Sequence, residues 1–188
     1  MFIDDENLVR RYLNGDEKSL ETLIQRYLKP IYSFVYRFLG NRQDAEDVTQ
    51  EVFIKVWRHL KKFKKNKSFR IWIFSIAKNT AIDYLKKKKI IPFSEFENEF
   101  GENKLIETIP DPLLLANELL EKAEIREKIN SALEKLSPSY RMVLFLYYND
   151  RFNFREIAEI FGESINTIKS RHYRALLMLK KILESNEK

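Results

Sequence analysis

Apolar residues recur at spacings of three and four along nearly the whole chain, which is the period of an amphipathic α-helix. Only four glycines and five prolines interrupt this pattern. The sequence therefore predicts an all-α fold. Helices are expected over residues 6–13, 17–39 with a kink or break at Pro30, 44–61, 68–88, 114–136, 138–148, 153–161 and 164–183.

The helical pattern stops between Ile90 and Pro112, where three prolines, a glycine and many acidic residues predict an extended linker. Residues 1–89 carry 20 basic and 11 acidic side chains, a net +9, whereas residues 90–125 carry −7 and residues 126–188 carry +4. We therefore expect two small helical domains over 1–89 and 126–188, joined by an acidic linker over 90–125. Two basic blocks favour two modules that face nucleic acid, although unevenly charged solvated surfaces would give the same pattern.

Several classes of protein are disfavoured by what the chain lacks. Cysteine is absent, which excludes disulfides and thiolate sites and fits a cytoplasmic protein. The first twenty residues are charged throughout rather than basic and then apolar, so no signal peptide is apparent, and no apolar run suggests membrane insertion.

The sequence also lacks the motifs of common active sites. No nucleophile with its base, no paired carboxylates in an apolar pocket and no glycine-rich phosphate loop is found, so we expect neither an enzyme nor a bound cofactor. His59 and His172 lack companions at ligand spacing, so no metal site is expected.

A helix-turn-helix is predicted near the C-terminus. Ile157, Ala158 and Phe161 share one helical face, Gly162 suits the turn, and Ser164 can cap the next helix. That second helix has apolar positions at 168, 176 and 179 and a set of hydrogen-bond donors on the other side, which suits phosphates and base edges. An amphipathic helix with a basic outer face and no DNA partner is the alternative. The donors are Asn166, Lys169, Ser170, Tyr173 and Arg174.

The helix expected over 44–61 has two distinct faces. Its predicted inner stripe is formed by Val48, Val52, Val56 and Leu60, with Phe53 and Trp57 widening it. Asp47, Gln50 and Glu51 lie together on the outer face. From the spacing alone, an ordinary solvated acidic face is the simpler interpretation.

Lysines and aromatic rings alternate in the stretch KKFKKNKSFRIWIFSIAKN, residues 61–79. Single-stranded nucleic acid offers phosphates to the cations and base faces to the rings, so it is a partner that suits both. Trp72, Ile73, Ile76 and Ala77 recur at helical spacing and are expected to belong to the core.

The segment SPSYRMVLFLYYNDRFNFREIAEIFGESINTIKSRHYRALLMLKKIL resembles region 4 of bacterial sigma factors. DAEDVTQEVFIKVWRHL and FRIWIFSIAKNTAIDYLKKKK resemble region 2 of the extracytoplasmic-function (ECF) group of the sigma-70 family. The two resemblances come in the expected order and cover about residues 6–89 and 126–183. They imply a protein that binds core RNA polymerase, directs it to particular promoters and opens the DNA there.

The resemblance also implies roles for residues of the first block. Asp47, Gln50 and Glu51 match positions that dock on the clamp helices of the largest polymerase subunit. Residues 61–69 match a loop that captures a base flipped from the nontemplate strand of the minus-ten element, and Asn79 matches its pocket wall. The implied minus-ten contacts are Phe63, Lys64, Lys65, Lys67, Ser68, Phe69, Lys78 and Asn79.

In region 4, which binds the polymerase flap in this family, the resemblance implies contacts to the minus-thirty-five element. Lys169 stands where arginine is common, and lysine cannot form the bidentate fork of arginine to guanine, so the preferred bases stay open. Arg171 matches an arginine that binds the backbone or braces the fold, and His172 stands where an aliphatic residue is usual. The implied contacts are Asn166, Thr167, Lys169, Ser170, Arg171, Tyr173 and Arg174.

The resemblance also implies a regulatory partner and a role for the linker. An anti-sigma factor is an expected partner, because most relatives have one. The acidic linker matches a segment that threads toward the polymerase active site, although a solubilising tether is an alternative. Two other functions are possible alternatives. A helix-turn-helix repressor or activator would account for residues 153–183 but not for the segment DAEDVTQEVF. A DNA recombinase would need catalytic residues, which the sequence lacks.

Overall fold

The structure is a computed structural model that describes residues 3–63, 67–88 and 123–185, with side chains from residue 129 onward in the last of these. Residues 90–122 of the predicted linker and the predicted contacts Lys64 and Lys65 lie outside the described residues, whereas residues 123–125 belong to a helix. Within them the chain is helical, with no strand, which confirms the all-α prediction. The helices are α1 (Asp5–Leu13), α2 (Glu17–Leu39), α3 (Arg42–His59), α4 (Phe69–Lys87), α5 (Ala123–Glu134), α6 (Pro138–Leu144), α7 (Phe154–Phe161) and α8 (Ile165–Ser185).

The described helices fall into two compact units. The first contains α1 to α4 together with residues 155–162, and the second contains α5, α6 and α8. The domain boundaries expected from the sequence stay a prediction.

Short polar side chains fix where several helices begin. Asp4 caps α1 by accepting a hydrogen bond from the backbone N–H of Asn7 at 2.7 Å. Asn41 caps α3 in the same way, through the N–H of Asp44 at 3.0 Å. Each side chain satisfies an N–H that has no partner inside the helix. Because Asn41 supplies this cap, α3 begins two residues earlier than the apolar pattern predicted.

Helix α2 contains Pro30 and continues from Glu17 to Leu39 without a break. Of the two predicted outcomes at Pro30, the break is therefore wrong, and the kink stays a prediction. Proline removes one backbone hydrogen bond of a helix. Buried side chains on both sides of it, Tyr27 before and Ile31 and Phe34 after, hold the two halves of α2 against the same core.

The core of the first unit lies among α2, α3 and α4. Val48, Val52, Val56 and Leu60 are all buried, which confirms the predicted inner stripe. The rings of Phe34 and Phe74 meet edge to face at 5.5 Å between their centroids, a favoured aromatic geometry. Helix α1 is attached to α2 through the carboxylate of Asp5, which accepts hydrogen bonds from Arg26 and Tyr27.

Trp57 does not widen the inner stripe, and that prediction is wrong. Its side chain is 57% exposed on the outer face of α3. Positions 50 and 57 are seven residues apart, so they lie on the same side of the helix. The indole N–H of Trp57 donates to the hydroxyl of Tyr12 on α1 at 3.0 Å, which keeps the ring on the surface.

The second unit has its own core, made by α5, α6 and the C-terminal half of α8. Helix α6 continues beyond Leu144 as a π-helical turn over Phe145–Asn149. His172 of α8 is buried beside this turn, with its ring 4.9 Å from that of Tyr147. The main cluster of this core is formed by Ala132, Leu136, Leu144, Ala175, Leu176 and Leu179.

Candidate functional site

The outer face of α3 presents the three residues that the sequence singled out for polymerase docking. Asp47 and Gln50 are exposed, and Glu51 is half-buried. Ile54, 46% exposed, and Trp57 continue the same face toward the C-terminal end of the helix. Sequence reasoning missed this apolar continuation, although the spacing of 47, 50, 54 and 57 places all four on one stripe. The face therefore combines an acidic half with an apolar half.

Glu51 is held by a chain of contacts that reaches α4. The ammonium of Lys55 lies 2.8 Å from Oε1 of Glu51. The same ammonium donates to the hydroxyl of Thr80 at 3.1 Å. Thr80 is 1% exposed, and its hydroxyl donates in turn to the backbone carbonyl of Ile76 at 2.8 Å. One cation thus connects the outer face of α3 to the interior of α4.

The segment between α3 and α4 begins with a 3-10 turn over Leu60–Lys62. Phe63 and Phe69, which flank the described ends of the loop, are 8% and 1% exposed. Their centroids lie 5.6 Å apart, and both rings pack against Trp72. In this conformation the ring of Phe69 is therefore not available to a base, and the ring of Phe63 is nearly covered.

Polar groups at the N-terminus of α4 complete the other end of this segment. Ser68 caps α4 by accepting from the N–H of Ile71 at 3.4 Å, and Lys67 beside it is exposed. The backbone N–H of Phe69 donates to Oε1 of Glu6 on α1 at 3.1 Å. No sequence pattern points to Glu6, because this contact joins residues 63 positions apart. Two side chains thus fix the point at which the loop returns to helix.

The two predicted minus-ten residues within α4 differ in exposure. Asn79 is exposed, so its amide is accessible to a partner. Lys78 is 8% exposed and is therefore largely covered in this conformation.

Near the end of α4, Lys88 is paired with Asp44 at the start of α3. The ammonium lies 2.6 Å from Oδ1 of Asp44, and the hydroxyl of Tyr84 donates to the same oxygen at 2.5 Å. These hydrogen bonds lower the pKa of the Asp44 carboxyl, and the bond to Asp44 raises the pKa of Lys88. Lys86, Lys87 and Lys88 at the end of α4 are all exposed, and Lys88 is engaged by the carboxylate of Asp44.

The turn before α8 has the local geometry that the sequence predicted. Gly162 adopts a positive φ of 72°, and its N–H bonds to the carbonyl of Ala158 at 2.8 Å, which ends α7. The Ser164 hydroxyl then accepts from the N–H of Thr167 at 3.0 Å and so caps α8. The predicted helix-turn-helix is confirmed.

The N-terminal half of α8 separates its donors from its core. Ile168 and His172 are buried, whereas the predicted donors around them keep access to solvent. Arg171 is the exception: it is 5% exposed, and its guanidinium contacts both carboxylate oxygens of Glu163, at 3.2 and 2.9 Å. Of the two roles open to Arg171, bracing the turn fits this burial. Exposed residues are Asn166 and Lys169, and partly exposed ones are Thr167, Ser170, Tyr173 and Arg174.

Two further properties bear on function. None of the helices in residues 3–63, 67–88 and 123–185 combines the length and apolar character needed to cross a bilayer. Over the same ranges, no three His, Asp or Glu side chains come together in a way that could hold a metal ion.

Comparison with protein families matches both units. Residues 23–90 match the family model of sigma-70 region 2, and residues 126–179 match that of sigma-70 region 4. The fold and the matched regions define a transcription initiation factor.

Comparison with individual proteins is more specific. The chain is 30% identical over 177 residues to the ECF RNA polymerase sigma factor SigW of Bacillus subtilis, covering 93% of this chain and 94% of that protein. It is 33% identical over 179 residues to the ECF RNA polymerase sigma-E factor of Escherichia coli K12, covering 92% and 91%. The chain belongs to the ECF sigma factors of the sigma-70 family, which direct promoter-specific transcription through two DNA-binding regions.

A solved structure shares the fold. The sigma factor RpoE of Bartonella quintana, solved in complex with the anti-sigma factor NepR, has a TM-score of 0.65 and 22% identity. The match covers 89% of this chain and 98% of that one.

Proposed function

We propose that this sigma factor uses three surfaces in transcription initiation: one binds core polymerase and two bind promoter DNA. The outer face of α3 docks on core polymerase, the segment between α3 and α4 with Asn79 acts on the minus-ten element, and α8 contacts the minus-thirty-five element. The observation that carries the proposal is the distribution of side chains on α8. Its polar donors keep access to solvent while Ile168, Ala175, Leu176 and Leu179 are buried, as expected of a helix that enters the major groove.

Docking on polymerase is supported by the outer face of α3. Asp47, Gln50 and Glu51 can bind basic or polar groups, and the exposed Ile54 and Trp57 supply apolar area beside them. Tryptophan is among the residues that contribute most at protein interfaces when it is buried on binding. The proposed occupant is the pair of clamp helices of the largest polymerase subunit, and region 4 binds the flap.

Minus-ten recognition in this proposal depends on cations and on Asn79 rather than on exposed rings. The rings of Phe63 and Phe69 are packed with Trp72, so they support the ends of the loop. Lys67 is exposed and can contact phosphate, and the exposed amide of Asn79 can both donate to and accept from a base edge. Extruding a base costs a few kcal/mol, which such contacts offset.

An anti-sigma factor is a proposed regulatory partner. The structure with the similar fold is described as a complex of a sigma factor with an anti-sigma factor. A protein that covers the outer face of α3 would block binding to polymerase, and one that also covers the donors of α8 would block binding to the promoter. The proposal places the chain in the bacterial cytoplasm, where polymerase and chromosome lie, and associates it with the nucleoid when it is bound to polymerase.

The proposal is tested by measuring binding of the purified full chain to core polymerase and, separately, binding of the resulting holoenzyme to promoter DNA. We expect the chain to bind core and to confer promoter binding that core lacks. A helix-turn-helix repressor, the competing interpretation, would bind a specific duplex alone and would not bind core. An enzyme such as a recombinase would act on its DNA without polymerase.

A further inference from the structure

The contact between Lys55 and Glu51 differs from an ordinary surface ion pair. Pairs four residues apart on an exposed helix contribute little, because both side chains must be ordered and water screens the charges. Here the ammonium of Lys55 is also fixed by the Thr80 hydroxyl at 3.1 Å, and Thr80 is buried in α4. The ordering of Lys55 is therefore achieved by the fold before any partner arrives.

Helix α3 contains a natural comparison. Arg42 and Glu46 form another pair four residues apart, at 2.9 Å, with side chains 83% and 46% exposed. The corresponding values for Lys55 and Glu51 are 32% and 45%. The two carboxylates are thus equally exposed, but only one is held by a cation that is anchored in the neighbouring helix.

We infer that Lys55 is a positioning residue for polymerase docking: anchored to Thr80, it holds the Glu51 carboxylate in the orientation that the polymerase binds. This inference rests on the proposed docking role of Glu51. Lys55 contacts Oε1, and a carboxylate has four acceptor positions, so Glu51 keeps the capacity to accept hydrogen bonds from a partner. A carboxylate that is already oriented loses less side-chain freedom on binding, which favours affinity.

The Lys55–Glu51 pair could instead weaken binding to core polymerase. If Lys55 only neutralised Glu51, its removal would leave the carboxylate more attractive to a basic partner, and binding would tighten. Whether the Kd for core polymerase rises or falls when Lys55 is replaced therefore distinguishes orientation of Glu51 from its neutralisation. At half-exposed positions the Coulomb energy is reduced by solvent, so we expect orientation to dominate and binding to weaken.

The test uses the full chain with four substitutions, titrated against core polymerase prepared without sigma. Lys55→Met removes the ammonium and keeps a long apolar stem, whereas Lys55→Arg keeps the cation. Thr80→Val removes the anchoring hydroxyl and keeps the shape of the side chain. Arg42→Met is the matched control, because it breaks the exposed pair on the same helix.

We expect Lys55→Met to raise the Kd for core by about 3- to 10-fold, Thr80→Val by about 2- to 3-fold, and Lys55→Arg and Arg42→Met by less than about 2-fold. An unchanged or lowered Kd for Lys55→Met would overturn the inference. So would a loss in Arg42→Met as large as that in Lys55→Met.

A double-mutant cycle separates positioning from general stability. In a Glu51→Gln background, we expect Lys55→Met to change the Kd by less than about 2-fold, because the oriented charge is gone. If the same loss appears in both backgrounds, Lys55 acts through the fold and the inference is wrong. If Glu51→Gln alone leaves the Kd unchanged, the proposed docking role fails and the inference fails with it. A loss in Glu51→Gln with none in Lys55→Met overturns the inference alone.

Discussion

The imidazole of His172 lies with its centroid 4.9 Å from the ring of Tyr147 and 5.1 Å from that of Phe154. It is 2% exposed, and its Nε2 has no hydrogen-bond partner among the residues that the structure describes. Burial lowers the pKa of His172 to about 4. The side chain is therefore neutral at pH 7 and packs as a flat ring among aromatic neighbours.

A first prediction concerns pH. His172 binds a proton near pH 6.5 in an unfolded chain but only near pH 4 in the fold. Between these values the unfolded state binds more protons, so stability falls as pH falls from about 7 toward 4. The loss in free energy of unfolding should reach about 2 kcal/mol at pH 5. Urea unfolding of the second unit, followed at pH 7 and pH 5, measures it.

The control is His172→Phe, which keeps a ring and removes the titrating group. Its stability should change much less between pH 7 and pH 5. Equal losses in the parent chain and in this variant would show that other groups cause the pH dependence.

A second prediction concerns the outer face of α3. The triple variant Asp47→Ala, Gln50→Ala, Glu51→Lys should weaken binding to core polymerase by at least about 10-fold, because it removes acceptors and reverses one charge. Binding of its α8 to a minus-thirty-five duplex should persist. Competition for core with the unaltered chain measures the first property, and gel-shift titration measures the second. An unchanged affinity of the triple variant for core polymerase would contradict the docking role of these three residues.

A third prediction concerns Arg174 on the partly exposed side of α8. If Arg174 contacts a base, Arg174→Ala should cost about 1–3 kcal/mol of DNA binding and relax the preference at one position. If it contacts phosphate, affinity should fall for all sequences and the salt dependence should decrease. Holoenzyme binding to promoter variants at several salt concentrations distinguishes these outcomes. No change in affinity or salt dependence would place Arg174 outside the interface.

A fourth prediction compares Asn79 with the lysines of the loop. Asn79→Ala should reduce promoter opening, followed by 2-aminopurine fluorescence in the minus-ten element, and relax base choice there. Replacing Lys64, Lys65 and Lys67 by alanine should weaken binding to every sequence and keep base choice, because phosphate contacts position and base contacts specify. If Asn79→Ala instead lowers the melting temperature and keeps base preference, the residue serves packing.

Local features were predictable because their causes are local. The valine stripe of α3 follows from helical spacing, and the cap at Ser164 follows from a hydroxyl placed before a helix. Gly162 could be assigned to the turn because few other residues adopt its positive φ. These elements also placed the donors of α8 opposite its core without any knowledge of the tertiary structure.

The remaining features depend on contacts between distant segments. The apolar character of Trp57 predicts a place beside the core, but its indole N–H bonds to the hydroxyl of Tyr12, 45 positions away, and the ring lies at the surface. The position of Phe69 in the sequence predicts a loop residue, yet its ring packs against three others, those of Tyr27, Phe63 and Trp72. Lys55 and Thr80 are 25 positions apart on different helices, so the spacing of residues within one helix does not predict their contact. Sequence patterns identify the faces of a helix, whereas tertiary packing decides what covers each face.

The most direct test of the account is run-off transcription on a library of genomic fragments, with core polymerase and the purified chain. Sequencing of RNA 5′ ends should show a defined set of start sites that appear only when the chain is added and share upstream minus-thirty-five and minus-ten elements. The triple variant of Asp47, Gln50 and Glu51 should lose these transcripts at equal concentration. If core that is active with another sigma factor gives no new start sites with this chain, the account is contradicted.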